Sequence, residues 1–200
     1  MKTVAGNHVV AGESGARREE ERVRAAYARR DLLPPDRYLR SDPFTLYSTH
    51  EREAVMAAML RAEGVSSLAG IRILDVGCGR GDSMRQFVEH GAAPEDLHGI
   101  DLLNDRIEAA RRLTPNATLL CGSATEMPFP AGSFDLVAQS TLFTSILDRD
   151  VKRMIAAEMA RVLAPRGMIL WYDFSYDNPR NRDVRGIGKR EIRELFPHFH

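Results

Sequence analysis

From residue 71 onward the chain alternates short, continuous apolar runs with segments whose apolar positions recur at helical spacing. The runs Ile71 to Val76, 97 to 101, Ala117 to Cys121, Phe134 to Gln139 and Met168 to Asp173 predict five strands buried on both faces. Helices are predicted from Asp82 to His90, stopped by Gly91, and from Asn104 to Leu113, halted before Pro115. Val151, Met154, Ile155, Met159, Val162 and Leu163 form an i, i+3, i+4 stripe, which predicts a core-facing helix between the fourth and fifth strands. A last helix-like stretch runs from Lys189 to Phe196. Regular alternation of strand and helix predicts an α/β fold with a doubly wound, mostly parallel sheet.

The pattern upstream is different. Residues 1 to about 16 hold Gly, Ser and Asn without a period and are expected to be mobile. From Arg17 to Arg30 the chain is dense in Arg and Glu, and Glu20 with Arg24 at i,i+4 predicts a solvated helix that Pro34-Pro35 ends. Ser48 and Glu51 have capping-box spacing ahead of Val55, Met59 and Leu60, so a second helix is predicted to pack on the sheet. The expected division is an N-terminal helical or mobile extension over 1–43 and a ligand-binding domain over 44–200. No internal repeat or low-complexity tract interrupts either part.

Composition narrows the function classes more than the fold. The 200 residues, 44% hydrophobic and 28% charged, suit one soluble domain with a real core. The 28 basic residues balance 28 acidic ones, so no global field attracts the chain to nucleic acid. No segment approaches the roughly 20 apolar residues needed to cross a bilayer, and the N-terminus lacks the apolar core of a signal peptide, so a cytoplasmic location without membrane or nucleic-acid partners is expected. Cys78 and Cys121 are read as small buried residues rather than a disulfide or metal pair. No His/Cys spacing predicts a metal site.

The most informative chemistry lies in Asp75-Val-Gly77-Cys-Gly79-Arg-Gly81, between the first strand and its helix. Glycine at every second position lets the backbone approach a ligand closely, and the N-terminus of the helix that follows favours a polar or anionic group. A dinucleotide loop would read G-x-G-x-x-G, but the third glycine position is held by Asp82. Asp101 ends the second strand, where a carboxylate can accept hydrogen bonds from both hydroxyls of a ribose.

With these features, the chain resembles the class I S-adenosylmethionine (SAM) dependent methyltransferases, whose first motif is (D/E)-x-G-x-G-x-G. Three later segments follow in the family's order: Gly122-Ser-Ala-Thr-Glu-Met-Pro-Phe-Pro130, Ser133-Phe-Asp-Leu-Val-Ala-Gln139 and Glu158-Met-Ala-Arg-Val-Leu-Ala-Pro-Arg-Gly-Met168. The resemblance covers roughly residues 44 to 175. It implies a Rossmann-like sheet with SAM as cofactor. It also implies Asp75 near the amino group of the methionine part, with Gly77 and Gly79 leaving space for it. Asp101 would hold the ribose diol, Leu102 lie against the adenine face, Ser123 and Ala124 reach the adenine edge, and the Gln139 backbone lie near the methionine part.

Two departures from the family stand out. Family members often carry Asp where Ser123 stands, and a hydroxyl accepts a hydrogen bond more weakly than a carboxylate, so weaker cofactor binding is expected; Ser123 also suits a plain turn. The family's sheet usually continues into a β-hairpin after the fifth strand, and here that hairpin is expected to be missing. The truncation would leave strand five as an open edge for a second copy or a partner chain, or mark a fragment.

Methyl transfer from a sulfonium needs an aligned nucleophile and, for a hydroxyl or ammonium, a base. His50, Asp173 and Tyr47 are the candidates, against plainer readings as an exposed helix residue, a strand end and an aromatic lid. The amino-methylating (D/N)-P-P-(Y/F) loop is replaced by Gln139-Ser-Thr-Leu-Phe143, and neither cysteine stands where cytosine methylation would need one. A small-molecule acceptor methylated on oxygen or nitrogen is therefore expected. The alternatives are a SAM-binding but inactive partner subunit or fragment and, with less support, an NAD(P)-dependent oxidoreductase.

Overall fold

The computed structural model describes residues 6–32 and 42–199. Five strands, β1 (Ile73–Val76), β2 (Leu97–Asp101), β3 (Thr118–Cys121), β4 (Phe134–Ser140) and β5 (Leu163–Tyr172), form one sheet in the order β3-β2-β1-β4-β5. Every pairing is parallel. Strand order reverses between β1 and β4, the place where sheets of this kind open a crevice at their carboxyl ends. The register brings Val76, Asp101, Ser140 and Tyr172 to that end together.

Helices cover both faces. Leu74, Val76, Ile100 and Val137 pack with Ala16 and Val23 of α1 (Gly6–Asp31) and with α6 (Arg149–Val162). Ile73, Leu97, Leu136 and Ala138 pack with Met56 and Leu60 of α2 (Pro43–Ala62), Met84 and Phe87 of α3 (Asp82–Glu89), and Ile107 of α4 (Asn104–Leu113). The sheet is thus buried on both sides, which is why its strands read as continuous apolar runs. A short α5 (Leu142–Ser145) follows β4, and α7 (Lys189–Leu195) closes over the β5 side, where Phe196 packs edge-on against Trp171.

Several boundaries differ from the sequence reading. Helix α1 begins by Gly6, so residues 6–16 are helical rather than irregular, and Glu19, Val23 and Ala26 on its inner face are buried. The predicted stop at Pro34-Pro35 lies outside the described residues. Helix α2 starts at Pro43, capped by Asp42, whose carboxylate accepts from the Thr45 N–H at 2.9 Å; the Ser48 and Glu51 capping box falls inside the helix. Its buried stripe is Met56 and Leu60, while Val55 and Met59 are 54% and 52% exposed. Strand β5 starts at Leu163 instead of Met168, joining α6 without a loop across an irregularity opposite Phe134 and Leu136. Cys121 is exposed because β3 is an edge strand, whereas Cys78 is buried. No strand beyond β5 occurs among the described residues, and β5 pairs with β4 alone.

One polar contact inside this packing went unforeseen. Lys152 on α6 is almost wholly buried, and its Nζ meets Glu191 Oε1 of α7 at 2.8 Å, with Arg185 also near the Glu191 carboxylate at 3.7 Å. Removing one partner from a buried pair costs more than replacing the charge by an apolar group. Glu191→Ala leaves an unpaired buried ammonium and is expected to lose about 3 kcal/mol. Lys152→Met leaves Glu191 beside Arg185 and is expected to lose under about 1 kcal/mol. Urea unfolding of both variants checks this; a larger loss from Lys152→Met would contradict it.

Candidate functional site

The alternation along β1 decides where its one carboxylate points. Leu74 and Val76 face the α1 and α6 side, so Asp75 shares the face of Ile73, toward α2 and α3. There it is 1% exposed, and neither carboxylate oxygen has a hydrogen-bond partner. Burial pushes its pKa up to about 7; nearby Asp101 adds to the rise and the Arg52 cation opposes it. A buried carboxyl without partners is a cost to the fold and marks a place built for something else.

The loop after β1 turns through three left-handed glycines, Gly77 at φ 72°, Gly79 at 55° and Gly81 at 87°. A side chain at Gly77 would be strained by this backbone and would also sit 3.1 Å from Leu142 Cδ1. The loop is tied down from β2. Ile100 O accepts from Gly77 N at 2.8 Å, and the Asp101 carboxylate accepts from Gly79 N through Oδ2 and from Leu103 N through Oδ1, both at 2.9 Å. Burial raises the Asp101 pKa in spite of these two donors and the Arg106 cation. Cys78 beside it is no nucleophile, because burial with Asp75 and Asp101 nearby pushes its thiol far up.

Two cavities open at this end of the sheet. Gly77, Asp101, Leu102, Ser123 and Ala124 line the first together with Glu19, Glu20, Val23 and Tyr27 of α1. Ser123 also makes a turn: its Oγ lies 2.8 Å from Thr125 Oγ1 and accepts from Thr125 N at 3.2 Å. Asp75, Gln139, Arg52, Gln86 and Tyr172 line the second with the apolar Val55, Met56, Met59, Phe87 and Leu170. Ser140 belongs to both linings, so the two meet at the end of β4. The structure therefore brings seven of the expected residues to two adjoining spaces: Gly77, Asp101, Leu102, Ser123 and Ala124 to one, Asp75 and Gln139 to the other. Gly79 is outside both linings and acts through its hydrogen bond to Asp101.

Among the candidate bases, Tyr47 and His50 sit on exposed positions of α2, and neither lines either of these two cavities. Asp173 is half-buried behind the β4 end, where its Oδ1 accepts from Thr144 N at 3.3 Å; burial raises its pKa against the hydrogen bonds that Thr144 and Gln139 give it. Gln139 braces the same turn. Its Oε1 accepts from Leu142 N at 3.1 Å and its Nε2 donates to Tyr172 O at 3.3 Å.

Sequence reasoning missed two parts of the site. Thr141 holds φ 59°, a strained value for a β-branched residue, and aims the chain from β4 into α5. Helix α1 is a wall and not a solvated appendage. Burial alone would raise the Glu19 carboxyl, but Arg22 and the N–H groups of Leu147 and Asp148 outweigh it and hold its pKa below the usual value. At its other end Asp31 lies 3.8 Å from Arg80 of the glycine loop and 3.7 Å from Arg106, which stacks over Tyr27 at 4.3 Å. The i,i+4 pair of Glu20 and Arg24 hid this inner face, although Glu20 itself borders the first cavity.

Comparison with known proteins bears on the same region. The family described as a methyltransferase domain matches residues 73–167, from β1 into β5. A demethylmenaquinone methyltransferase of Renibacterium salmoninarum is 29% identical over 117 residues, covering 58% of this chain and 47% of that protein. A nocamycin O-methyltransferase of Saccharothrix syringae is 35% identical over 105 residues, covering 50% of this chain and 36% of that protein. The chain thus spans less than half the length of either. A crystal structure of a Pyrococcus horikoshii protein shares the fold at a TM-score of 0.63 and 18% identity, over 82% of this chain and 85% of that one.

The buried carboxyl gives a signed pH dependence. The folded state keeps the Asp75 proton to about pH 7, while the unfolded chain releases it near the ordinary 3.8. Between those values the native state binds more protons, so the contribution of Asp75 to stability falls as pH rises and levels off above about 7. The difference in unfolding free energy between Asp75→Asn and the unsubstituted protein, without ligands, is expected to grow in favour of the variant from pH 4.5 to 7.5. Urea unfolding across that range checks it, and a flat difference would contradict the assignment.

Proposed function

We propose that the chain is a class I SAM-dependent methyltransferase, as its match to a methyltransferase domain and its methyltransferase relatives support, and that it transfers a methyl group from SAM to an oxygen or nitrogen of a small-molecule acceptor. The observation that carries this reading is the meeting of the two cavities at Ser140, with a hydrogen-bonding carboxylate in the first and an unpartnered one in the second. Such a site fits a ligand with a sugar at one end and a cationic amine at the other.

The residues present suit SAM at each point. Each Asp101 oxygen uses one acceptor position, Oδ2 on the loop at Gly79 and Oδ1 on its own turn at Leu103, and keeps lone pairs for the ribose hydroxyls. Leu102 offers an apolar face, and Ser123 with Ala124 an edge, to the adenine. The missing Cβ at Gly77 keeps the passage beside Leu142 open. In the second cavity the ionised Asp75 would meet the ammonium of the methionine part, ending its isolation.

When bound, SAM supplies an electrophilic sulfonium methyl, so the protein's own share is to hold the acceptor in line and keep water out. The acceptor would enter the second cavity, where Val55, Met59, Leu170 and Tyr172 give an apolar and aromatic lining. The names of the two relatives, a demethylmenaquinone methyltransferase and a nocamycin O-methyltransferase, support a small organic acceptor. Residues 44–200 would form the SAM-binding domain, with α1 laid across it.

Titration calorimetry with SAM and, in parallel, NADH tests the reading. Saturable SAM binding without NADH binding is expected, and Asp101→Ala should weaken it on the order of ten- to a hundredfold. A folded protein that does not bind SAM would overturn it. Because ammonium binding needs Asp75 charged, SAM affinity should rise from pH 6 to pH 8 in the unsubstituted protein and stay level in Asp75→Asn. Equal pH profiles for the two proteins would remove Asp75 from the binding role.

A further inference from the structure

The charges lining the two cavities do not balance, although the protein as a whole has a formal net charge of zero. Glu19, Glu20 and Asp101 border the first cavity and Glu51 and Asp75 the second, against Arg52 as the one basic residue in these linings among the described residues. Three of the carboxyls are countered from nearby. Arg22 meets Glu19 at 2.9 Å, the Arg52 cation opposes the Asp75 charge, and Asp101 has two backbone donors and the Arg106 cation, which it shares with Asp31. Asp105 adds negative charge on the Asp101 side. Glu20, half-buried on α1, and Glu51, exposed on α2, form no ion pair among the described residues. Independently of them, the Asp75 carboxyl, 1% exposed and without a hydrogen-bond partner, marks this negative space as a place for a ligand.

We propose that Glu20 and Glu51 make the crevice a charge filter, which holds the cationic methyl donor more tightly than the uncharged product left after transfer. The proposal rests on the reading that SAM occupies the two joined cavities, and it adds to that reading two residues outside the family match over 73–167.

The argument is one of field rather than contact. SAM carries one net positive charge and S-adenosylhomocysteine none, while the two share their adenosine and amino acid parts. Whatever those parts gain at Asp101, Asp75 or Arg52 cancels in the ratio of the two affinities, and the effect of the sulfonium charge remains. Uncompensated carboxylates beside a cleft with low-dielectric walls act on such a charge without touching it. At about 10 Å, and with an effective dielectric between those of bulk water and a protein surface, each gives roughly a threefold preference. Methyl transfer removes the charge that the crevice attracts, so the product leaves more readily than the donor.

Titration calorimetry with SAM and S-adenosylhomocysteine at about pH 8, above the Asp75 pKa of about 7, tests the filter. At about 0.01 M salt, where the screening length is about 30 Å, SAM should bind about tenfold more tightly. At about 1 M salt, where that length is about 3 Å, the two affinities should agree within about threefold. At the lower salt Glu20→Gln should reduce the preference about threefold and Glu20→Lys about threefold again. S-adenosylhomocysteine affinity should stay within about a factor of two in both variants, the sign that the fold and the shared contacts are intact. Equal or tighter binding of S-adenosylhomocysteine at low salt would overturn the proposal. So would a preference for SAM that neither salt nor the Glu20 variants reduce, which would assign it to contact with the methyl group. If the folded, unsubstituted protein binds neither ligand, the SAM reading itself fails, an outcome distinct from the other two.

Discussion

The Asp101 carboxylate is the contact on which the site depends. A glycine loop with three left-handed residues has little intrinsic preference for one shape, and its glycines lose more conformational entropy on ordering than other residues. The two hydrogen bonds of Asp101, one to the loop at Gly79 and one to its own turn at Leu103, hold that loop against the end of β2. They can do so because parallel register brings Asp101 to the same level as the end of β1. One side chain thereby shapes the loop and keeps acceptor positions facing the first cavity.

The electrostatics around it run against stability. Asp75 and Asp101 are both largely buried, both have raised pKa values, and the Asp101 charge adds to the cost of charging Asp75. A core built only for stability would carry apolar side chains at these strand ends, as at Val76, Ile100 and Val137. The stabilising polar contacts lie elsewhere, in the buried Lys152 and Glu191 pair and in Glu19 with its three donors. The molecule keeps these satisfied charges at helix contacts and leaves the Asp75 carboxyl, without a partner, where a ligand can reach it.

Most of the sheet was legible because buried parallel strands leave continuous apolar runs, and β2 and α4 fall where the pattern placed them. The alternating glycines were legible for a local reason, since positive φ and close approach leave few other residues. What stayed hidden depends on tertiary contact. Nothing in the spacing of Val55 and Met59 distinguishes a core stripe from a cavity lining, and only the position of α2 decides it. Glu19, Arg22 and Tyr27 read as part of a charged solvated helix because the partners that bury them, Leu147, Asp183 and Arg106, lie far along the chain. Thr141 carries no signal at all, its φ being imposed by the turn from β4 to α5.

Helix α1 is latched at its middle through Glu19 to the 147–148 backbone and at its C-terminal end through Asp31 to Arg80 and Arg106, with Val23 and Tyr27 between them forming one wall of the first cavity. A molecule in that cavity touches the sheet on one side and α1 on the other. Linkage is reciprocal, so whatever affinity the docked helix lends to that molecule the molecule returns as tighter docking of the helix. The N-terminal helix therefore behaves as a second ligand of the crevice, tethered to it by its own chain.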